Sequence, residues 1–208
     1  MRDRLAVDGW RLAGEDRSLR LATREDLPEI ERVMRAAMAA LSAGFYDERR
    51  TASAVRYIAV ADVQLVDDGT YFVIEHGSPA NRQLPTANRH TIIACGGWSA
   101  RRKLFTGTDE QSSTEGWLDP ATDAARIRAM FVDPAYARRG LGRLILDASE
   151  EAARRAGFRA FELMATLPGV PLYRACGYAE VEPATLDLPD GTRLAAVLMR
   201  KRGGSVVH

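Results

Sequence analysis

The chain has 208 residues, enough for one substantial core, with 46% hydrophobic and 27% charged residues. A net charge of +1 supplies no basic field for nucleic acid, and no apolar run approaches the roughly 20 residues that a membrane helix needs. Cys95 and Cys176 lie far apart and share no ligand spacing with His76, His90 and His208, so no metal site is expected and both cysteines read as reduced packing residues of a cytoplasmic protein.

Residues 1–17 carry charge throughout, lack the apolar core of a secretory signal and read as a loosely held leader. Residues 18–22 alternate and predict a first strand. A helix follows over 25–41, with Asp26 as N-cap, Pro28 in the first turn, and Leu27, Ile30, Met34, Met38 and Leu41 on one stripe. Gly44 stops it, and residues 47–60 predict a second helix. After a turn at 67–69, strands are expected over 70–77 and 90–99. Residues 100–124 are polar, rich in Gly, Ser and Thr, and read as a long excursion between strands.

Residues 126–132 alternate, which would place Ile127, Ala129 and Phe131 on one face and Arg126, Arg128, Met130 and Val132 on the other. Asp133-Pro134 ends that strand. The stretch YARRGLGRLIL (136–146) then opens a helix that runs to about Ala156, with Leu141, Leu144, Ile145, Ala148, Ala152 and Ala156 on one face. Glu150 and Arg154, and Glu151 and Arg155, are i,i+4 pairs, and Gly157 closes the helix. A strand over 158–166, a short helix over 170–177, a strand over 178–182 and a strand pair around Asp190-Gly191 complete the domain, which spans 18–202 with a tail at 203–208. The strand–helix–strand from 126 to 166 must be a parallel unit with a right-handed crossover, so the class is mixed α/β. The last strand pair offers an edge through which a homodimer could form.

Gly140 and Gly142 lie after a strand and at the start of a helix, where backbone N–H groups are unpaired and the dipole is positive. Glycine lets a phosphate approach that backbone, and Arg138, Arg139 and Arg143 add formal charge. Ile145 stands where a dinucleotide fingerprint needs its third glycine, and no Gly-Lys-Ser/Thr follows, so neither standard nucleotide loop fits.

Arg-Arg-Gly-Leu-Gly after VDPAYA resembles the acyl-CoA-binding motif of the GNAT superfamily of acyltransferases, and TLPGVPLYRACGYAEVE is similar to that family's second signature. The resemblance is detailed over 126–182 and implies a mostly antiparallel sheet with a central parallel unit and helices on both faces. It implies acetyl-CoA as acyl donor, held by the backbone of Phe131 and Val132 along the pantetheine arm and by the N–H groups of Arg138, Arg139, Gly140, Leu141, Gly142 and Arg143 at the pyrophosphate. It implies Tyr173 as the catalytic tyrosine. Two positions depart from the family pattern: Ala137 where Gln or Arg is frequent, and Pro168 where Asn is frequent.

Acyl transfer to an amine needs an oxyanion donor, for which a backbone N–H near Val132 serves, and a proton for the leaving thiolate, which the Tyr173 phenol can supply. No carboxylate lies on the 126–132 strand; Glu75 and Glu162 are the nearest by element order. With no Cys/His or Ser/His/Asp set, direct attack in a ternary complex is expected. Tyr46 and Trp98 are candidates to line the pocket for a small-molecule or peptide amine, beside Phe45 and Trp117. Two other readings stay open: a non-catalytic acyl-CoA sensor on the same fold, and a nucleic-acid module using the arginines at 138–143.

Overall fold

The computed structural model of the chain describes residues 10–11, 17–77, 90–104 and 116–202. Their elements run β1 (Trp10–Arg11), β2 (Arg17–Leu21), α1 (Leu27–Leu41), α2 (Glu48–Tyr57), α3 (Val63–Asp67), β3 (Tyr71–Gly77), β4 (His90–Ser99), β5 (Ala125–Val132), α4 (Leu141–Arg155), β6 (Ala160–Thr166), α5 (Val170–Ala175), β7 (Ala179–Asp187) and β8 (Arg193–Arg202). The strands form one sheet in the order β1-β2-β3-β4-β5-β6-β8-β7. Among the described residues only β5 and β6 pair in parallel, on either side of the α4 crossover; the other pairs are antiparallel.

Each face of the sheet carries its own core. On one, α4 lays Leu141, Ile145, Leu146 and Ala153 against Phe72, Ile93, Ile127 and Phe161. On the other, Ile30, Val33, Met34 and Met38 of α1 meet Tyr71, Val73, Ile92 and Cys95. Of the apolar stripe expected for the first helix, Ile30, Met34 and Met38 are buried, joined by Val33 and Ala37, while Leu27 is half-buried and Leu41 is exposed at the helix end.

Several details differ from the sequence expectation, each for a physical reason. Trp10–Arg11, inside the expected leader, pairs with β2 through Leu19 and Ser18. Asp26 stands at the N-cap of α1, as expected, but its side chain makes no cap bond to that helix. A 3-10 turn beginning at Thr23 precedes the helix, and the Asp26 carboxylate accepts from the Thr23 N–H at 2.7 Å and from Arg20. Helix α3 escaped notice because five residues give no period to read. Residues 179–187 form one strand rather than two, since β7 stays on β8 from Ala179 to Asp187. Glu150 is 1% exposed, not a surface partner: its carboxylate takes Arg154 at 2.5 Å and Lys201 at 2.7 Å. The C-terminus of α4 is as expected, with the Gly157 N–H donating to Arg154 O and Phe158 N–H to Ala153 O.

Strand β7 is a sheet edge with Glu180, Val181, Glu182 and Pro183 exposed and a register break between Glu180 and Glu182. Charge, proline and irregularity discourage a further strand there. Among the described residues, no helix is long and apolar enough to cross a membrane.

Candidate active site

Strands β5 and β6 pair only at Ala125–Phe161 and Arg126–Glu162. Beyond that, β5 stays on β4 as far as Val132, and β6 stays on β8 as far as Thr166. A wedge opens between them. On one side lies a cleft of about 640 Å³ whose walls include Val132, Arg138, Gly140, Leu141, Gly142 and Arg143, with Pro168, Leu172 and Tyr173 opposite and Met38, Leu41 and Phe45 at one end. On the other side lies a cavity of about 80 Å³ reached by Ile58, Leu104, Arg128, Met164 and Leu186. The two share Met130, Phe131, Thr166 and Tyr173, so they meet at a single throat.

The throat owes its shape to a bulge. Cys95 pairs with Phe131 and Gly97 with Arg128, so two residues of β5, Ala129 and Met130, stand opposite Gly96 alone. Ala129 sits at φ 53°, a left-handed conformation that costs a non-glycine residue about 1–2 kcal/mol. The expected alternation therefore breaks: Ile127 packs on the α4 face, whereas Ala129 and Phe131 pack on the α1 face and Met130 and Val132 return to α4. The Tyr71 hydroxyl donates to Ala129 O at 2.9 Å. A methyl at Gly96 would lie 2.3 Å from Met130 Sδ, and one at Gly97 2.3 Å from Thr70 O, so the first glycine leaves room for the Met130 side chain and the second for the β3 backbone. Below it the Arg128 guanidinium, 1% exposed, is paired with the Asp62 carboxylate. Burial pushes the neighbouring Cys95 thiol up to about 12, which keeps it protonated and inert.

Past the bulge the ladder is regular, and its alternation aims the backbone. Asp133 N–H donates to Ile93 O at 2.9 Å, so Phe131, two residues earlier, also turns its N–H and C=O toward β4. Val132 therefore points its N–H and C=O into the wedge. Of the two residues expected to meet the pantetheine arm, Val132 has its backbone free for that task and Phe131 supplies a wall.

The loop into α4 is left-handed at Arg138 (φ 64°) and at Gly140 (φ 82°). Among the described residues, no backbone or side-chain acceptor takes the N–H groups from Arg138 to Arg143; the first recorded bond is Leu144 N–H to Gly140 O at 3.1 Å. Those donors and the helix dipole face the cleft. The two glycines do different work. A methyl on Gly140 would meet nothing within 4 Å, so this residue is needed for its φ and for the open approach. A methyl on Gly142 would lie 2.9 Å from Leu172 Cδ2, so this one lets α4 pack against α5. The arginines also divide. Arg138 lines the cleft, Arg143 donates to Ala175 O at 3.0 Å and ties α4 to α5, and Arg139 is turned onto the Tyr136 ring at 5.4 Å.

Tyr173 is buried, edge-on to Tyr178 at 5.8 Å between ring centres. Burial raises its pKa above the ordinary phenol value, so the proton stays on at every physiological pH. Neither Trp98 nor Tyr46, the two residues expected to meet the acceptor, lines either of these two cavities. Trp98 is core, edge-on to Phe158 at 5.8 Å, because the β4 face it occupies is covered by the α4 side of the sheet. Tyr46 is a staple: its hydroxyl donates to Ala195 O at 2.6 Å and accepts the Leu167 N–H at 2.8 Å. Phe45 does reach the cleft and is 47% exposed, while Trp117 lies over Arg101 at the base of the 100–124 excursion, of which residues 105–115 fall outside the described residues. Glu75 is held by Arg20 at 2.9 Å and Glu162 by Arg126, so neither is a poised base. Asp62, Tyr71 and Thr166 were not singled out from the sequence. The one signal was Arg128 in an apolar strand, which demands a buried carboxylate somewhere.

The architecture is shared with solved acetyltransferases. A GCN5-related N-acetyltransferase from Rhodopseudomonas palustris is similar over 93% of this chain and 99% of its own, at 18% identity and a TM-score of 0.61. The paia N-acetyltransferase of Thermoplasma acidophilum, solved with coenzyme A, is similar over 89% of this chain and 98% of its own, at 15% identity and a TM-score of 0.57. A mosquito arylalkylamine N-acetyltransferase like 5b is similar over 89% and 99%, at 14% identity and a TM-score of 0.54. No curated protein sequence matches the chain. A sequence profile of the acetyltransferase (GNAT) family matches residues 35–178, a span that contains the bulge, the left-handed loop and Tyr173, and the chain belongs to that family.

Proposed function

We propose that the protein is a cytoplasmic N-acyltransferase that moves an acetyl group from acetyl-CoA to the primary amine of a small molecule or peptide, both bound at once. The observation that carries this is the meeting of a large cleft and a small cavity at one throat, with Tyr173 in the wall of both. The acyl donor enters by the large cleft. Its pyrophosphate is met by the unpaired N–H groups of 138–143, and its arm lies along Val132 as an added strand would. The similarly folded Thermoplasma acidophilum protein, solved with coenzyme A, supports this choice of donor.

The amine enters by the small cavity and attacks the thioester carbonyl. The Val132 N–H faces the oxygen as charge develops on it. The C–N bond forms, the C–S bond breaks, and the Tyr173 hydroxyl, kept protonated by burial, hydrogen-bonds the leaving sulfur as charge builds on it; the thiolate, a weaker base than a tyrosinate, ends as the thiol by taking up from water the equivalent of the proton that the amine nitrogen gives up. Among the described residues no carboxylate lines either cavity, so the amine's excess proton passes to water at the cavity mouth. The buried, unpaired Cys95 and Cys176 suit a reducing compartment.

Calorimetric titration with acetyl-CoA, using dephospho-CoA and ATP as controls, followed by thiol release over a panel of primary amines, tests the proposal. Micromolar binding that tracks the CoA portion, with amine-dependent thiol release, is expected. Binding without release by any amine would make the protein an acyl-CoA sensor; no binding would remove the donor assignment.

A further inference from the structure

Thr166 is the last residue of β6, at the point where that strand has parted from β5, and it lines both cavities. It stands at the N-cap of the 3-10 turn Leu167–Gly169, a position where a threonine hydroxyl ordinarily accepts a backbone N–H. Here it makes no cap bond. Pro168, the second residue of the turn, has no N–H to give it, and the Leu167 N–H goes to Tyr46, whose hydroxyl is anchored on Ala195 O. The backbone beside Thr166 is thus held from outside, and its hydroxyl is left for the throat. Gly169 shows where that hydroxyl lies: a methyl placed there would sit 3.0 Å from Tyr173 Cε2 and 4.0 Å from Thr166 Oγ1, so the phenol ring and the hydroxyl flank one spot. Met130 and Phe131, the other residues shared by the two cavities, are apolar.

Resting on the transfer reading, we infer that the Thr166 hydroxyl orients the attacking amine and that the amine is carried on an apolar carbon chain. The oxygen of Thr166 accepts one N–H of the neutral amine, which turns the nitrogen lone pair across the throat toward the thioester carbonyl. The acceptor side around it is walled by Ile58, Leu104, Met164 and Leu186, and the Arg128 charge there is spent on Asp62. A carboxylate or second ammonium next to the reacting nitrogen would lose its water there without gaining a partner.

The test compares wild type, Thr166→Val and Thr166→Ser with acetyl-CoA and two probes of similar length, n-butylamine and β-alanine. Valine keeps the shape and suits a strand, so the protein should fold. Expected are faster thiol release from n-butylamine than from β-alanine, a fall of about tenfold in kcat/KM for n-butylamine in Thr166→Val, as one lost hydrogen bond gives, and near-wild-type rates in Thr166→Ser. Acetyl-CoA affinity should stay unchanged in both variants. Wild-type turnover in Thr166→Val, or an equal loss in Thr166→Ser, would overturn the orienting role. Loss of acetyl-CoA affinity in Thr166→Val would give the hydroxyl to the donor instead. Preference for β-alanine would overturn the apolar chain. If wild type binds acetyl-CoA and releases thiol with neither probe, the transfer reading falls first and Thr166's role with it.

Discussion

The cradle at 138–143 and the throat at 129–131 lie at the two ends of one strand–loop–helix connection, and they are built in opposite ways. Near neighbours make the cradle: Arg138 and Gly140 turn left-handed, the helix starts at Leu141, and the N–H groups between are left without acceptors. Distant residues make the throat: Tyr71 holds the Ala129 carbonyl, Gly96 and Gly97 leave room for Met130 and Thr70, and Asp62 on the approach to α3 pairs with Arg128. A grip for a phosphate can be written in six consecutive residues because the backbone supplies it. Aiming a single N–H into a wedge requires the ladder to lose register, and strain of that kind persists only where surrounding contacts over-determine it.

The hardest break falls on the throat. Asp62→Ala leaves the Arg128 guanidinium buried without this partner and should cost about 3–5 kcal/mol, read as a lower urea midpoint at unchanged slope. A loss under 1 kcal/mol would mean that the pair does not set the bulge. Next, Tyr173→Phe should lower kcat by about 10²-fold or more with acetyl-CoA affinity intact, because the phenol acts on the leaving sulfur and not on the cradle. Unchanged turnover would remove that hydrogen bond from the mechanism.

Two glycine variants sharpen the contrast within the cradle. At Gly140 an added Cβ meets no atom, but a valine must adopt φ 82°, so Gly140→Val should cost about 1–2 kcal/mol in stability and weaken acetyl-CoA roughly tenfold by crowding the approach. Gly142→Ala presses only on the flexible end of Leu172 and should bind nearly as wild type. Equal losses in the two would show that φ and access are not what the first glycine provides. The last comparison is one of pH. Burial raises the pKa of Tyr71, Tyr173 and Tyr178, so the folded state keeps protons that the unfolded chain sheds above about pH 10. Stability should hold up to that pH and then fall as pH rises, by up to about 1.4 kcal/mol per unit for each tyrosine. A flat profile between pH 9 and 11 would show that these phenols are not withdrawn from water.

Neighbours and periodicity enforce what was legible along the chain: the order of the longer elements, most of the α1 stripe, the glycine close of α4, the parallel crossover, and a helix N-terminus with its donors unpaired. It also pointed to Tyr173, through a motif of contiguous residues. Tertiary structure alone decided the rest. Strict alternation misplaced Ile127 relative to Phe131, because a one-residue bulge reverses every side chain beyond it and its causes lie on β3, β4 and α3. Trp98 and Tyr46 looked like pocket residues because aromatics often are, yet one faces α4's core and the other holds two strands' ends together. Thr166 gave no sign at all in the sequence, since a threonine at a strand end is ordinary until the structure shows its cap bond unmade and two cavities meeting at its hydroxyl. Local geometry is written along the chain; which groups end up facing one another across a wedge depends on contacts between residues far apart in it.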